Sequence, residues 1–374
     1  MRTEICDKLG IEYPIFAFSH CRDVVAAVSN AGGMGVLGAV FFTVDELTEN
    51  LNWIDRHVRD KPYGVDVLIP ARYTGKGEGL SAEELENKLR DMIPEEHRDF
   101  AKKIMKDAGV PELPENHKVM ELIGLTEETA KPLIDVSLTH EKVRLIVNAL
   151  GTPPAHIVKE IQDSGRMVAA LCGSVKHALN HKAAGIDIVI CTGTEAGGHT
   201  GDVGSIVLWP EVIDAVAPMP VLAAGGIGSG KQMAAALAMG AQGVWTGTLW
   251  VTTSESDFPD EQKEVYLKAT SRDTVRTRSW SGKFGRGLRN DWTDAWERSD
   301  TPDPLDMPLQ GMVAAETIAR AEMYPAQAQP RVGFNPCGQV VGSINAVKSV
   351  RIVIQEMIDT YLDAVERLNN LMPE

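Results

Sequence analysis

The sequence of 374 residues contains no run of 18 apolar residues, and its first ten residues, MRTEICDKLG, are charged where a secretion signal would be apolar. A membrane-spanning helix needs about 20 apolar residues, and a signal peptide needs an apolar segment of about 7–15. We therefore expect a protein that is neither secreted nor inserted in a membrane, and we predict a cytoplasmic location.

Cysteine is scarce, and positive charge is not clustered. The five cysteines are odd in number, lie far apart and show no CxxC spacing, so neither a disulfide framework nor a metal site is predicted. The chain has no Lys/Arg-rich run, and its formal net charge of −15 would repel a phosphate backbone. Nucleic acid is excluded as a partner, and the expected partner is a small molecule.

What the sequence does contain is an alternation of short apolar runs with longer amphipathic segments, which is typical of successive βα units. Most runs are uniformly apolar, as expected for parallel strands covered by helices on both faces. The eight runs are 13–17, 34–39, 63–69, 143–149, 167–171, 186–191, 220–224 and 243–247. Eight units predict an α/β fold, a closed (β/α)8 TIM barrel.

Two segments exceed what a barrel needs. Residues 71–140 read as a charged helical insertion after the third strand, and residues 271–374 read as a C-terminal cap of helices. The barrel itself is then assigned to residues 1–70 and 141–270. A helical insertion at a barrel mouth serves either as a lid or as a dimer surface, so a monomer and a homodimer both fit.

Glycines follow the seventh and eighth strands. Gly225 and Gly226 stand in AAGGIGSG, and Gly247 lies between Thr246 and Thr248. Glycine lets the backbone approach an anion, the start of the next helix supplies N–H donors, and barrels commonly bind phosphate here. The alternative is that these glycines only form tight turns. Because neither a dinucleotide fingerprint nor a Walker lysine is present, a mononucleotide flavin fits better than NAD.

A histidine follows the sixth strand in the run CTGTEAGGHTG. Imidazole titrates near neutrality and can accept or give a proton, so His199 is a candidate acid–base group at the catalytic face. The alternative is that His199 only caps the loop by a hydrogen bond. Glu195 is interpreted as a structural residue that accepts backbone N–H bonds.

These runs, together with SNAGGMGVLGA, DTVRTRSWSGKFGRGLRN and CGQVVGSI, resemble the nitronate monooxygenase family, which shares its fold with the FMN-dependent enoyl-ACP reductases. The resemblance implies an FMN barrel in which His199 acts on the substrate beside the flavin. Flavin contacts are implied, position by position, at Asp66, Thr192, Gly197, Gly225, Gly226, Trp245, Thr246, Gly247 and Thr248.

The chain departs from the family pattern in three places. Asp66 replaces the usual asparagine and Thr192 the usual glutamine; a carboxylate near the ring disfavours reduced flavin unless it is protonated or paired. His20 lies in a loop that usually contains glycine and methionine, where it either contacts substrate or packs on the sheet end. Ser281 either hydrogen-bonds substrate or forms a turn. Lys76, Lys283 and Arg286 are cations that could attract an anionic substrate; the alternative is that they are isolated surface bases without a specific role.

The function expected from the resemblance is an FMN-dependent oxidoreductase that oxidises alkyl nitronates, or comparable stabilised carbanions, with O2. One alternative is an NAD(P)H-dependent reductase of an enoyl thioester or a quinone. An alternative of another class is a non-catalytic barrel that binds a phosphate-bearing ligand.

Overall fold

Eight parallel strands close into a barrel in chain order, which confirms the predicted fold. The computed structural model describes residues 1–40, 42–69, 82–117, 119 and 127–372, so Lys76 lies outside the described residues. The barrel strands are β1 (Ile15–Ser19), β2 (Met34–Gly38), β3 (Tyr63–Asp66), β4 (Val143–Asn148), β5 (Met167–Cys172), β6 (Ile188–Thr192), β8 (Val221–Ala224) and β9 (Gly243–Thr246). A two-residue strand, β7 (Gly198–His199), lies outside the barrel.

The helices alternate with these strands and continue beyond them. They are α1 (Glu4–Leu9), α2 (Arg22–Asn30), α3 (Val44–His57), α4 (Ala82–Asp91), α5 (Glu95–Ala108), α6 (Glu127–Thr139), α7 (Ala155–Asp163), α8 (Val175–Ala183), α9 (Ser205–Val216), α10 (Gly230–Ala238), α11 (Asp260–Lys268), α12 (Asp291–Trp296), α13 (Leu309–Met323), α14 (Pro325–Ala328) and α15 (Val350–Asn369). No helix within the described ranges is long and apolar enough to cross a bilayer.

The two-residue period of a strand divides the apolar side chains between two layers. Phe16 and Leu222 belong to the cluster inside the barrel, whereas Val189 belongs to the cluster beneath the outer helices. Helix α1 adds Ile5 to the inner cluster, and Thr3 Oγ1 donates to the carbonyl of Gln242 at the start of β9. The amino-terminal end of the barrel is therefore packed, which leaves the carboxyl ends of the strands for a ligand.

The stretch between β3 and β4 packs in two places. Helices α4 and α5 share a hydrophobic cluster with α12 and α13, and this cluster contains Leu89, Trp296 and Val313. Helix α6 instead packs on α3 and adds Ile134 to the cluster beneath the barrel helices. Helix α6 therefore lies where a barrel helix would, and α4 and α5 pack elsewhere. The assignment of residues 71–140 to one insertion stays a prediction.

The C-terminal region adds a small antiparallel sheet that the sequence did not predict. Its strands are β10 (Thr274–Thr277) and β11 (Gly285–Leu288), and β11 pairs with β7. The register places Gly285 opposite His199 and Arg276 opposite Arg286. This sheet fixes the backbone of the histidine loop.

Candidate active site

The predicted site residues meet at one cavity at the carboxyl ends of the barrel strands, the end where TIM barrels bind their ligands. The cavity has a volume of about 1750 Å³. It is lined by eleven of the twelve predicted residues, which are His20, Asp66, Thr192, Gly197, His199, Gly225, Gly226, Trp245, Thr246, Gly247 and Thr248. The twelfth, Ser281, contacts His199.

The glycines after β8 and β9 leave backbone N–H groups and open space at the cavity. Gly226 has φ +73°, which favours glycine, and a Cβ on Gly247 would meet no atom within 4 Å. In the described residues, the N–H groups of Gly226 and Gly247 donate to no protein acceptor. Adjacent N–H donors without partners are suited to an anion. The two loops together can therefore bind a phosphate group.

The threonines of the second loop use their side chains within the protein. Thr246 Oγ1 donates to the carbonyl of Phe16 at 2.8 Å, and Thr248 Oγ1 accepts the N–H of Gly338 at 2.9 Å. The proton of Thr246 is thus used within the protein, whereas Thr248 only accepts and keeps its own proton for a ligand. At this loop, a phosphate could be bound by the backbone and by the hydroxyl of Thr248.

The start of α10 does not serve the cavity as predicted. The N–H of Gly230 donates to Thr360 Oγ1 at 2.9 Å, and a Cβ on Gly230 would lie 1.9 Å from the carbonyl oxygen of Met357. The prediction that this helix start supplies donors to a phosphate is therefore wrong for Gly230. Position 230 requires glycine because α15 packs against α10 there.

His199 lies on β7, where its exposed ring surface faces the cavity while the protein encloses the rest. Burial lowers its pKa to about 4, and the positive charge of Lys283 contributes to the same lowering. Its Nε2 lies 2.7 Å from Ser281 Oγ. The imidazole is therefore neutral at pH 7 and fixed in orientation, as a proton acceptor requires.

Glu195 holds the histidine loop. Its carboxylate accepts the N–H of Ser205 at 2.9 Å and the hydroxyl of Ser205 at 2.7 Å. Ser205 is the first residue of α9, so the negative charge also lies at the favourable end of a helix dipole. Glu195 thus connects the loop to α9 in the structural role that the sequence indicated.

Two side chains at the ends of β3 and β6 present buried oxygens without partners. Asp66 Oδ1 and Thr192 Oγ1 line the cavity and have no hydrogen bond within the described part of the chain. Burial raises the pKa of Asp66 to about 7, against a backbone hydrogen bond from Ala149 that lowers it. Since buried polar atoms are nearly always paired, these oxygens indicate a ligand with polar edges. The heteroatoms of a flavin ring match that requirement.

Asp66→Asn should stabilise the flavin-free protein in a pH-dependent way. The folded-state pKa of about 7 exceeds the ordinary value of 3.8, so the unfolded chain loses this proton first and stability falls as pH rises through that window. An asparagine side chain does not titrate. The gain in free energy of unfolding should grow from near zero at about pH 4 to as much as about 4 kcal/mol above about pH 7. Urea unfolding at both ends of the window measures it, and an equal gain at both would contradict the burial of a protonated Asp66.

His20 lies at the rim of the cavity and also packs on the sheet end, so the two predicted roles are compatible. Its Nδ1 lies 2.8 Å from the carbonyl oxygen of Gly38, and its ring meets Phe18 edge-on with centroids 5.1 Å apart. Burial lowers its pKa, while the hydrogen bond to Gly38 and the charge of Asp257 raise it. His20 is therefore a fixed, mainly neutral group at the cavity.

Sequence reasoning missed several residues of the cavity wall. Leu85 and Leu89 from α4 line it, as do Arg276 and Phe284 from the small sheet. The alternating pattern TVRTR around Arg276 was a strand signal, but nothing in the sequence shows which face of that strand meets the barrel. Among the described residues, no group of three or more His, Cys, Asp or Glu side chains could hold a metal ion.

A closed parallel barrel with a neutral histidine and two glycine loops at its carboxyl end is the arrangement of a TIM-barrel enzyme whose cavity is suited to a phosphate-bearing molecule. A family model described as nitronate monooxygenase matches residues 2–360. The chain therefore belongs to the nitronate monooxygenase family, a family of flavoenzymes, and is an oxidoreductase.

Individual relatives agree with this membership. The chain is 47% identical to the "putative monooxygenase Rv1533" of Mycobacterium tuberculosis over 100% of both chains. It is 27% identical to a "probable nitronate monooxygenase" of Staphylococcus aureus, over 92% of this chain and 96% of the relative.

Two solved structures share the fold. FabK from Thermotoga maritima has a TM-score of 0.75 at 27% identity over 100% of both chains. A nitroalkane oxidase from Streptomyces ansochromogenes has a TM-score of 0.79 at 23% identity over 97% of this chain and 99% of its own.

Proposed function

We propose that the protein is an FMN-dependent oxidoreductase that oxidises alkyl nitronates, or similarly stabilised carbanions, with O2. The observation that carries the proposal is the placement of a neutral His199 at the same cavity as two phosphate-suited glycine loops. Family membership supports the reaction class. Five free cysteines, all of them among the described residues, support the proposed cytoplasmic location.

The backbone N–H groups of Gly226 and Gly247 would bind the FMN phosphate, and Asp66 and Thr192 would face polar atoms of the ring. Gly197, Gly225 and Trp245 would add contacts along the same wall. When bound, the flavin supplies the redox chemistry by which substrate electrons reach O2. Helices α4 and α5 would limit access of water, since α4 places Leu85 and Leu89 on the cavity wall.

His199 would position the nitronate, and it would accept the α-carbon proton of the neutral nitroalkane, the conjugate acid of the nitronate. Ser281 Oγ lies 3.3 Å from the carbonyl oxygen of Lys283, to which it can donate its proton. Its lone pairs then accept Nε2–H of His199. This leaves the lone pair of Nδ1 as the proton acceptor.

Ser281→Ala should therefore reduce turnover without releasing flavin. Without the hydrogen bond to Nε2 the imidazole can rotate, and its proton is no longer held on Nε2. We therefore expect kcat to fall about threefold to tenfold. FMN content should equal that of the wild type. Ser281→Thr, which keeps the hydroxyl, should recover most of the activity. Equal loss in both variants would contradict a role for the hydroxyl.

Anaerobic mixing separates the proposal from its rivals. Bleaching of the flavin by a nitronate, with no reaction toward NAD(P)H, supports the nitronate oxidation. Rapid bleaching by NAD(P)H alone would instead support a reductase of an enoyl thioester or a quinone. Purified protein that is colourless and releases no flavin on denaturation would support a non-catalytic barrel.

A further inference from the structure

Arg276 faces the cavity, and none of the described residues is a polar partner of its side chain. It lies on β10, its guanidinium carbon is 4.4 Å from the centroid of the Phe284 ring, and both residues line the cavity wall. Its Nε is buried and unbonded, and no hydrogen bond or ion pair joins its guanidinium to another described residue. An arginine carries five N–H donors and is charged at any physiological pH, so such a group requires an acceptor.

Two neighbouring arginines, one on the same sheet and one just after β10, have hydrogen-bond partners. Arg278 donates to the carbonyl of Gly282 at 3.0 Å and pairs with Asp306 at 2.6 Å. Arg286 donates to the carbonyl of Thr194 at 2.9 Å and to Thr274 Oγ1 at 3.1 Å. Arg278 and Arg286 therefore find hydrogen-bond partners within the protein. Arg276 differs from them because it lines the cavity.

Positive charge accumulates around Arg276. Arg276 stands directly opposite Arg286 on β11, and like charges at opposed positions of a sheet are destabilising. Burial lowers the pKa of Arg286, and the charge of Arg276 lowers it further. Lys283, which lines the cavity and acts electrostatically on His199, adds a third cation, and its ammonium has no carboxylate partner among the described residues. A bound anion would relieve this repulsion.

Other polar groups agree with an anion at this place. Thr200 Oγ1 is buried without a partner among the described residues and lines the same wall, where its hydroxyl can donate. Asp202 and Asp257 also line the cavity, yet neither forms an ion pair with Arg276 in the described residues. Glu195 acts on Arg286 from a distance, but its carboxylate is already bonded to Ser205. Arg276 thus has donors around it and no ion pair with a described carboxylate, in a chain whose net charge is −15.

We infer that Arg276, with Lys283 and Thr200, forms a subsite for an oxyanion carried by the substrate, a carboxylate or a phosphate separate from the reacting carbon. The cavity of about 1750 Å³ exceeds the roughly 300–1,000 Å³ of a single ligand pocket, so it has room for FMN and for a substrate with an anionic tail. The assignment of the anion to a substrate rests on the proposed function, whereas the anion site itself does not.

Kinetics with matched nitronates test the substrate assignment. The probes are a nitronate with a terminal carboxylate, its methyl ester, and a nitronate with a terminal phosphate. Wild-type enzyme should show a KM about 10- to 100-fold lower for at least one anionic probe than for the ester, as expected for a charge-assisted hydrogen bond. Arg276→Gln should abolish that difference and leave kcat within about threefold. Equal KM values for all three probes in the wild type would overturn the assignment.

Two variants provide controls. Arg272→Gln removes a positive charge from an exposed position just before β10 and should preserve the preference. Arg276→Lys keeps the charge without the planar donors and should retain part of it. Loss of the preference in Arg272→Gln would show that net charge, rather than this site, selects the substrate.

Calorimetric titration with propionate and with methyl phosphate tests the anion site without turnover. Wild-type protein should bind at least one of them saturably, and Arg276→Gln should bind it at least about tenfold more weakly. The tighter of the two ligands identifies the tail as carboxylate or phosphate. Unchanged binding in Arg276→Gln would overturn the site. If the wild type oxidises no nitronate but binding depends on Arg276, the proposed function fails while the anion site stands.

Discussion

His199→Ala should retain bound FMN and lose most of its turnover. The phosphate loops and the oxygens of Asp66 and Thr192 do not involve the imidazole, so flavin content should stay near the wild-type level. Removal of a general base costs about 100- to 10,000-fold in rate, and we expect kcat with a neutral nitroalkane, whose α-carbon still carries its proton, to fall in that range. Flavin absorbance and O2 consumption on the same preparation measure both quantities.

A second histidine of the cavity provides the control. His177 is exposed on α8, lines the cavity and makes no contact with Ser281. His177→Ala should keep turnover within about twofold of the wild type, as surface substitutions usually do. If His199→Ala and His177→Ala turned over at the same rate, His199 would have no part in the reaction.

Gly247→Leu should abolish retention of flavin while the fold remains intact. A Cβ on Gly247 meets no atom of the described residues within 4 Å, and its φ of −130° is open to any residue. The new side chain would fill the space that the phosphate needs and would block the N–H of Gly247. Purified protein should be colourless, with an affinity for added FMN reduced at least about 100-fold. Its melting temperature without flavin should match that of flavin-free wild type.

Gly311→Leu is the matched control. Gly311 also has no atom within 4 Å of a Cβ, but it lies on α13 and does not line the cavity. This variant should retain FMN fully. Retention of FMN by Gly247→Leu would mean that the phosphate is bound elsewhere. Gly247→Ala adds only a methyl group, so its FMN content should lie between those of Gly247→Leu and Gly311→Leu.

The barrel could be predicted from the sequence because its signals are local. Parallel strands covered on both faces read as continuous apolar runs, and most of the runs agree with the observed strands to within a few residues at the ends. The run 13–17 begins before β1, since Tyr13 and Pro14 share the composition of the strand without its pairing. Register and strand ends depend on neighbours that a local pattern does not contain.

The predicted site residues came together because strand ends of a closed barrel converge whatever their separation in sequence. Ser281 beside His199 is an example, since the two positions differ by 82 in sequence number. The sequence could not distinguish Gly226, which opens to the cavity, from Gly230, which makes room for α15. Both lie in one glycine-rich run, and only the packing of a helix more than 100 residues away separates their roles.

Arg276 was missed for the same reason. Its strand, β10, matches the family motif, but its side chain reaches the cavity only because β11 and β7 connect it to the histidine loop. A two-residue strand such as β7 carries too few residues for any periodicity to show. Non-local pairing of short strands is therefore the part of this site that the sequence could not reveal.

A crystal structure of the purified protein with its flavin tests the central claim most directly. We expect the FMN phosphate within hydrogen-bond distance of the N–H groups of Gly226 and Gly247, with the ring between Asp66 and His199. A phosphate bound instead at Arg276, or a ring remote from His199, would contradict the account.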